Sequence, residues 1–456
     1  MSVTKPWKTQ NTQSHFFNKN SWKSMVFYAM LSLILLLCYF SPISTFTTFD
    51  HQLSNFSSIS IISSNTSSTQ ENSNNEDAIA QSEKTNEILS TIQNPEISTE
   101  QTCDYTNGEW IHDNRGPLYN GSSCKTIKDG QNCMTHLRPD TNYLYWRWQP
   151  NQCNISRFNP ESFLKILEGK HIAFVGDSLA RNQLESLLCM LSSYSDPNLV
   201  YSNGDDNKFR RWVFPSQNVT VSVYWSPFLV KGVEKSKNRD YNRLFLDLID
   251  EKWAADLDSI DVAVLSIGHW YLLKSIFIDG GKEIGCHGFD GSNCTAIGFY
   301  DPFHKAINTS LRTIIQRNGV NGKKIDVIVT TFPPAHFEGE WDNLDACSKT
   351  MPYKKDEKIV EGVNDNLRRI AVEEVEKARI MLNADNVRVT TLDVTRLALL
   401  RPDGHPGPYM YYNPFKDGVK ERVHNDCVHW CLPGPIDTWN EIMLDIIKRR
   451  HGLLDS

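Results

Sequence analysis

One serine, one aspartate and one histidine in two distant stretches hold the residue types for nucleophilic acyl chemistry. Ser178 ends the run His171-Ile-Ala-Phe-Val-Gly-Asp-Ser, and Asp426 and His429 stand in Asn425-Asp-Cys-Val-His-Trp-Cys-Leu-Pro-Gly. A serine hydroxyl becomes a useful nucleophile only when a general base takes its proton. Asp426 and His429 are three positions apart. In a turn the carboxylate can hold one imidazole nitrogen and leave the other for that proton. Gly176-Asp177-Ser178 is also a common turn tripeptide, and His424 and Asp437 are alternative members of the pair. A metal centre is the competing use of His429 beside Cys427 and Cys431. Paired cysteines would leave no thiolate for it, so no metal is expected.

The elements around these residues decide whether they can meet. His171 to Val175 reads as a short buried strand. From Leu179 onward Leu184, Leu187, Leu188 and Leu191 recur at helical spacing. Ser178 is therefore placed at a strand-to-helix turn, beside free backbone N–H groups and a positive dipole end. Further strands are expected at 220–225, 261–267, 325–332 and 387–392, with helical patterns over 244–258, 303–317, 358–382 and 436–449. Such alternation predicts an α/β fold with a doubly wound parallel sheet and helices on both faces. Its site lies beyond the carboxyl ends of the strands. That selects Gly176-Asp-Ser178, Gly268-His-Trp270 and the segment 330–336.

Net charge is −7 over 456 residues, which offers no electrostatic support for a nucleic-acid partner. Of 11 cysteines, Cys38 lies in an apolar segment, and the even remainder suits disulfides in an oxidising compartment. Glycosylation sequons at Asn55, Asn65, Asn120, Asn154, Asn218, Asn293 and Asn308 agree with that address. Residues 1–23 form a basic tail, and 24–46 read as a single transmembrane signal anchor. The basic flank predicts a cytosolic N-terminus and a luminal remainder, type II topology. Residues 47–102, rich in Ser, Thr and Asn, read as a flexible stem. A small irregular, disulfide-tied lobe is expected at 103–160 and the catalytic domain at 161–456. In the lobe Trp146, Arg147 and Trp148 form either a sugar-stacking wall or the packing of a lobe poor in aliphatics. Trp270 is a further polysaccharide-binding candidate.

Gly176-Asp177-Ser178 followed far downstream by Asp426-x-x-His429 resembles the GDSL/SGNH serine-esterase superfamily. Val175-Gly-Asp-Ser-Leu-Ala-Arg-Asn-Gln183, the run 143–150, Gly268-His-Trp270, the run 331–341 and Asp426-Cys-Val-His-Trp-Cys-Leu-Pro-Gly434 narrow this further. They resemble the plant trichome birefringence-like family from about Cys103 to the C-terminus, and the anchor and stem share its layout. The resemblance implies an SGNH-like catalytic domain and a Golgi-anchored polysaccharide O-acetyltransferase. It implies Ser178 as nucleophile, His429 as general base and acid, and Asp426 as the group orienting the histidine. An acetyl group would pass from donor to Ser178 and then to a sugar hydroxyl. Backbone N–H groups near Ser178 and Gly268 would bind the oxyanion, with Asp177 a neighbouring cleft candidate.

Ordinary SGNH hydrolases supply an asparagine from a Gly-x-Asn block, where this sequence reads Gly268-His269-Trp270. Asn182 or Arg181, one turn beyond the serine, is the candidate replacement, with a helix-cap or structural role as the alternative for Asn182. His269 and His336 are candidate cleft residues or buried, hydrogen-bonded histidines. Cys286 and Cys294, eight apart in a Gly-rich loop, are expected to pair. The other cysteines are expected to join lobe and catalytic domain. Cys189 would fasten the helix after Ser178 to the lobe, and Cys427 and Cys431 would tie the histidine loop to Cys347 and to a lobe cysteine.

Ser226-Pro-Phe-Leu-Val230 and Leu400-Arg-Pro-Asp-Gly-His-Pro-Gly-Pro408 resemble family branches linked to xyloglucan, the expected acceptor ahead of xylan or mannan. No cofactor is expected to stay bound. The acetyl donor, acetyl-CoA or an acetylated intermediate, is a substrate. Two rival functions stand beside this one. A carbohydrate acetyl esterase would use the same triad but admit water to the acyl-serine. A non-catalytic polysaccharide-binding protein would have no need of an intact Ser, Asp and His.

Overall fold

The computed structural model describes residues 103–203, 208–291, 294–382, 386–419 and 422–453. The expected anchor and stem lie outside them. Among the described residues no helix is long and apolar enough to cross a membrane.

The lobe contributes an antiparallel ribbon of β1 (Gly108–His112) and β2 (Trp146–Pro150), with Trp110 opposite Trp148. The central sheet begins with β3 (His171–Gly176), β4 (Asn198–Asn203), β5 (Phe209–Phe214) and β6 (Val219–Trp225). A small second sheet uses β7 (Val230–Val233), β8 (Asn242–Ile249), β10 (Ser275–Asp279) and β11 (Lys282–His287). The central sheet is completed by β9 (Val262–Ser266), β12 (Ile325–Thr330) and β13 (Val387–Leu392), in the order β13-β12-β9-β3-β6-β5-β4. From β13 to β6 the strands are parallel, and β5 and β4 add an antiparallel hairpin at one edge.

Period-two alternation makes β3 a wall between two cores. Ile172 and Phe174 face one, Ala173 and Val175 the other. Helices α1 (Ser178–Ser192) and α4 (Asp437–Arg450) fill the first core, and α2 (Tyr300–Asn321) and α3 (Gly362–Met381) the second. The parallel strands end level, since Gly176 pairs with both Trp225 and Ser266, and Thr330 pairs with Ser266 and Leu392. After β3 the chain goes to the edge strand β4, works back through β5 to β6 beside β3, and then crosses to β9 on the other side of β3. That reversal is a topological switch point, where doubly wound sheets open a crevice. Ser178 follows β3 and Gly268 follows β9, so both stand at that switch point.

Gly176 permits this close approach. A Cβ there would lie 1.8 Å from the carbonyl oxygen of Ser266, a backbone atom that cannot move aside. Gly176→Ala is therefore expected to cost more than about 3 kcal/mol through overpacking. Denaturant unfolding reads that cost.

Two expectations are corrected. The segment 244–258 is not a helix but β8, a short helix Glu251–Ala254 and a 3₁₀ turn. Leu244 and Leu246 are buried while Arg243 and Asp247 are exposed, and pairing with β7 and β10 selects the two-residue period. Trp148 is no sugar wall. It is 1% exposed, donates its Nε1–H to Tyr105 O at 2.8 Å and meets Trp110 edge to face. No face is left for a glycan ring.

Among the described residues five disulfides form: Cys103–Cys153, Cys124–Cys189, Cys133–Cys431, Cys286–Cys294 and Cys347–Cys427. Cys189 does fasten α1 to the lobe, and Cys427 and Cys431 do reach Cys347 and the lobe. Cys103–Cys153 stays within the lobe, so not every remaining cysteine bridges the two parts.

Candidate active site

Ser178 stands at the first position of α1, with Asp177 as its N-cap accepting the Leu179 N–H at 2.9 Å. From His171 to Leu191, Ser178 is the sole residue that is not buried. A strand and a helix otherwise packed shut thus leave one hydroxyl-bearing residue partly exposed at the switch point.

Asp426 and His429 form the second half. His429 Nδ1 lies 2.7 Å from Asp426 Oδ2, while Oδ1 accepts the main-chain N–H groups of Val428 at 3.1 Å and His429 at 2.9 Å. The carboxylate therefore fixes both the ring and the turn carrying it. Burial alone would raise the Asp426 pKa, but the imidazole and these N–H groups outweigh it and hold the carboxyl well below its usual range. Burial would likewise lower the His429 pKa, and the Asp426 charge overrides it, leaving the imidazole more basic than usual. The other ring nitrogen, Nε2, is buried and has no hydrogen-bond partner among the described residues.

Asn182 brings the two halves together. One turn beyond Ser178 and on the same helical face, its carboxamide spans the Trp430 backbone. Oδ1 accepts the Trp430 N–H at 2.8 Å and Nδ2 donates to the Trp430 carbonyl at 3.3 Å. Trp430 follows His429 directly, so the helix that carries the serine grips the loop that carries the histidine. Asn182 is fully buried in that brace. Asn182→Ala would strand two buried backbone groups, an expected loss of about 2–4 kcal/mol. Denaturant unfolding checks it, together with a kcat that falls while the acceptor KM holds.

Arg181 points elsewhere on α1. Its guanidinium lies over the Trp225 ring at 5.6 Å and within 4.0 Å of Glu185. Burial pushes the Glu185 pKa up to about 7, with Arg181 opposing. The Arg181 charge also works against protonation of His429, so it belongs to the electrostatics of the site. Burial lifts the Asp177 carboxyl to about 6, although the N–H groups of Leu179, Gly268 and Ala180 and the His429 charge all pull it down. The Gly268 amide thus faces Asp177. A Cβ on Gly268 would meet the Phe332 ring at 2.4 Å, so the β9 end has no room for a side chain there.

The remaining candidates separate. His269 donates Nε2–H to Pro333 O at 3.0 Å and packs on Phe332, and burial lowers its pKa to about 4. It is a neutral histidine at the rim. His336 is a hydrogen-bonded support beneath the histidine loop. Trp270 packs edge-on to Trp225 and Phe228 at the strand ends. Trp146 and Arg147 line a cavity that also contacts Met190. Met190 is about 18 Å along α1 from Ser178 at 1.5 Å per residue, so that cavity is not the serine's crevice. Trp225 and His405 were not singled out from the sequence, because Trp225 reads as the end of a buried strand and His405 stood in a run that bears only on the acceptor.

A serine on a strand-to-helix turn at the switch point of a parallel sheet, with an Asp–His pair braced against its helix, defines the class: an α/β protein of SGNH serine-esterase type. Residues 155–446 match the GDSL/SGNH-like acyl-esterase family found in Pmr5 and Cas1p, and residues 101–154 match the PMR5 N-terminal domain. The chain belongs to that acyl-esterase family. Among its relatives, xyloglucan O-acetyltransferase 1 of Populus trichocarpa is 60% identical over 78% of this chain and 83% of its own length. Xyloglucan O-acetyltransferase 1 of Arabidopsis thaliana is 57% identical over 77% of this chain and 82% of its own. Protein trichome birefringence-like 25 of Arabidopsis thaliana is 41% identical over 80% of each.

Proposed function

We propose that this protein is a xyloglucan O-acetyltransferase acting through an acetyl-serine. One observation carries the reading. The Asp426–His429 pair is clamped through Trp430 and Asn182 to the helix that begins at Ser178. The sequence similarity to xyloglucan O-acetyltransferases supports the acceptor.

In the first half-reaction His429 Nε2 takes the Ser178 proton as Oγ attacks the acetyl carbonyl of the donor. The donor's leaving group departs with that proton, and acetyl-Ser178 forms. In the second, a xyloglucan hydroxyl gives its proton to His429 and attacks the acetyl carbon. The proton then returns to Ser178 Oγ as the sugar ester leaves. Asp426 holds the imidazole in the tautomer with Nδ1–H and stabilises its charged form. The Ser178 N–H is the oxyanion donor left at the start of α1, since the Leu179, Ala180 and Gly268 N–H groups face the Asp177 carboxylate. The donor is acetyl-CoA or an acetylated intermediate. A basic tail at 1–23 and an apolar segment at 24–46 support a type II Golgi anchor with the catalytic part in the lumen.

The test is incubation of the purified protein with acetyl-CoA and, separately, with an acetylated donor, on xyloglucan, xylan and mannan oligosaccharides, read by mass spectrometry. Gain of acetyl on xyloglucan is expected. Loss of acetyl from pre-acetylated glycan, with no gain from either donor, would make the protein an esterase instead.

A further inference from the structure

The histidine loop rests on two more histidines that the catalytic set does not use. His405 Nδ1 lies 2.7 Å from the main-chain carbonyl of His429, and His405 Nε2 lies 2.7 Å from His336 Nδ1. His336 Nε2 lies 2.9 Å from the carbonyl of Leu399. A carbonyl only accepts, so His405 Nδ1 and His336 Nε2 must each carry a proton. The contact between the rings needs another, because two bare lone pairs at hydrogen-bond distance repel. Two neutral imidazoles bring one proton each. The fully bonded chain needs one more, and with it one net positive charge.

The surroundings can hold that charge, though not tightly. His405 stacks on Trp430 with ring centroids 4.2 Å apart, a favourable contact for a cation. Asp426 favours the charge on His405 and Arg138 opposes it; Asp403 and Glu338 favour it on His336 and Lys358 opposes it. Burial, the largest effect on both rings, drives the proton off. When it leaves, one of the bonds in the chain must break. The His429 carbonyl is at one end of that chain, and the His336 main-chain N–H donates to Cys427 O at 3.0 Å, inside the same loop.

We propose that His336 and His405 form a singly protonated positioning pair, whose shared extra proton holds the His429 main chain and thereby the placement of the catalytic base. The inference rests on His429 being that base. Loss of the proton as pH rises loosens the loop and lowers kcat about tenfold with the acceptor KM unchanged, the effect of one lost hydrogen bond.

The test uses the full chain labelled with ¹⁵N-histidine, with ring N–H signals followed from about pH 5 to pH 8. His336→Lys assigns the pair, since its ammonium can donate to both the Leu399 carbonyl and His405 Nε2. Three ring N–H protons in the pair at the acid end are expected, one vanishing on the limb along which kcat falls. In His336→Lys the kcat plateau is expected to extend to higher pH. Two ring protons throughout would overturn the proposal. So would three protons with a kcat that does not follow them, or an unshifted limb in His336→Lys. The proton count is repeated in Ser178→Ala, where the pair keeps its extra proton even if the acetyl-serine reading fails.

Discussion

Ser178→Ala is expected to abolish acetyl transfer, by at least about 10⁴-fold in kcat, while leaving fold and stability unchanged. The side chain opens α1 without capping it, since Asp177 is the cap. It is also the half-exposed position in an otherwise buried run, so removing one oxygen opens no core cavity. Double displacement has no route without Oγ, because neither half-reaction can form or break its acyl bond. Mass spectrometry of the wild-type protein given donor alone should show one added acetyl group on the peptide containing Ser178. The alanine protein should show none. Transfer at the wild-type rate by Ser178→Ala would end the acetyl-serine mechanism outright.

Asp426→Asn carries the second large effect, about 10⁴-fold in kcat. The mutant carboxamide can still offer its oxygen to the N–H groups of Val428 and His429, so the turn survives. Its NH₂ then faces His429 Nδ1 and forces the ring proton onto Nε2, the nitrogen that must accept from the serine. A pH signature accompanies the loss. In the wild type the Asp426 charge keeps the His429 pKa above its ordinary value. The base works only when neutral, so activity falls as pH drops through that raised pKa. Without the carboxylate, burial is the main influence left and lowers the pKa, so the acid limb of the residual activity moves to lower pH. A kcat/KM profile of the two proteins measures the displacement, and a limb moving upward would contradict the assigned role.

Much of this was legible in the chain. The buried run from His171, the leucines of α1 and the strand ends at Gly268 and Thr330 all follow from side-chain period and turn chemistry. The segment 242–249 was not, because Leu244, Leu246, Leu248 and Ile249 satisfy a helical stripe about as well as an alternating strand. Only partners on both sides, β7 and β10, choose between them. The aromatic residues of the lobe were similarly undecided, since a tryptophan's amphipathic ring suits a glycan or a core equally well. Trp148 went to the core and found a carbonyl for its N–H.

For the site the division is clearer still. The sequence by itself determined which groups could do the chemistry: a hydroxyl at a strand-to-helix bend, and a carboxylate three residues before an imidazole. Short spacing is enough for that, because a turn of a few residues has few conformations. That the helix of the serine and the loop of the histidine meet, through Asn182 and Trp430, was decided by tertiary structure alone. Ser178 and His429 are 251 residues apart in sequence (429 − 178), and no local preference acts over that span. Winding order put β9 beside β3, disulfides pinned the histidine loop at Cys427 and Cys431, and Asn182 turned inward to grip Trp430. The same packing set His405 against the carbonyl of His429, where two buried rings must share a proton that neither sequence stretch could announce.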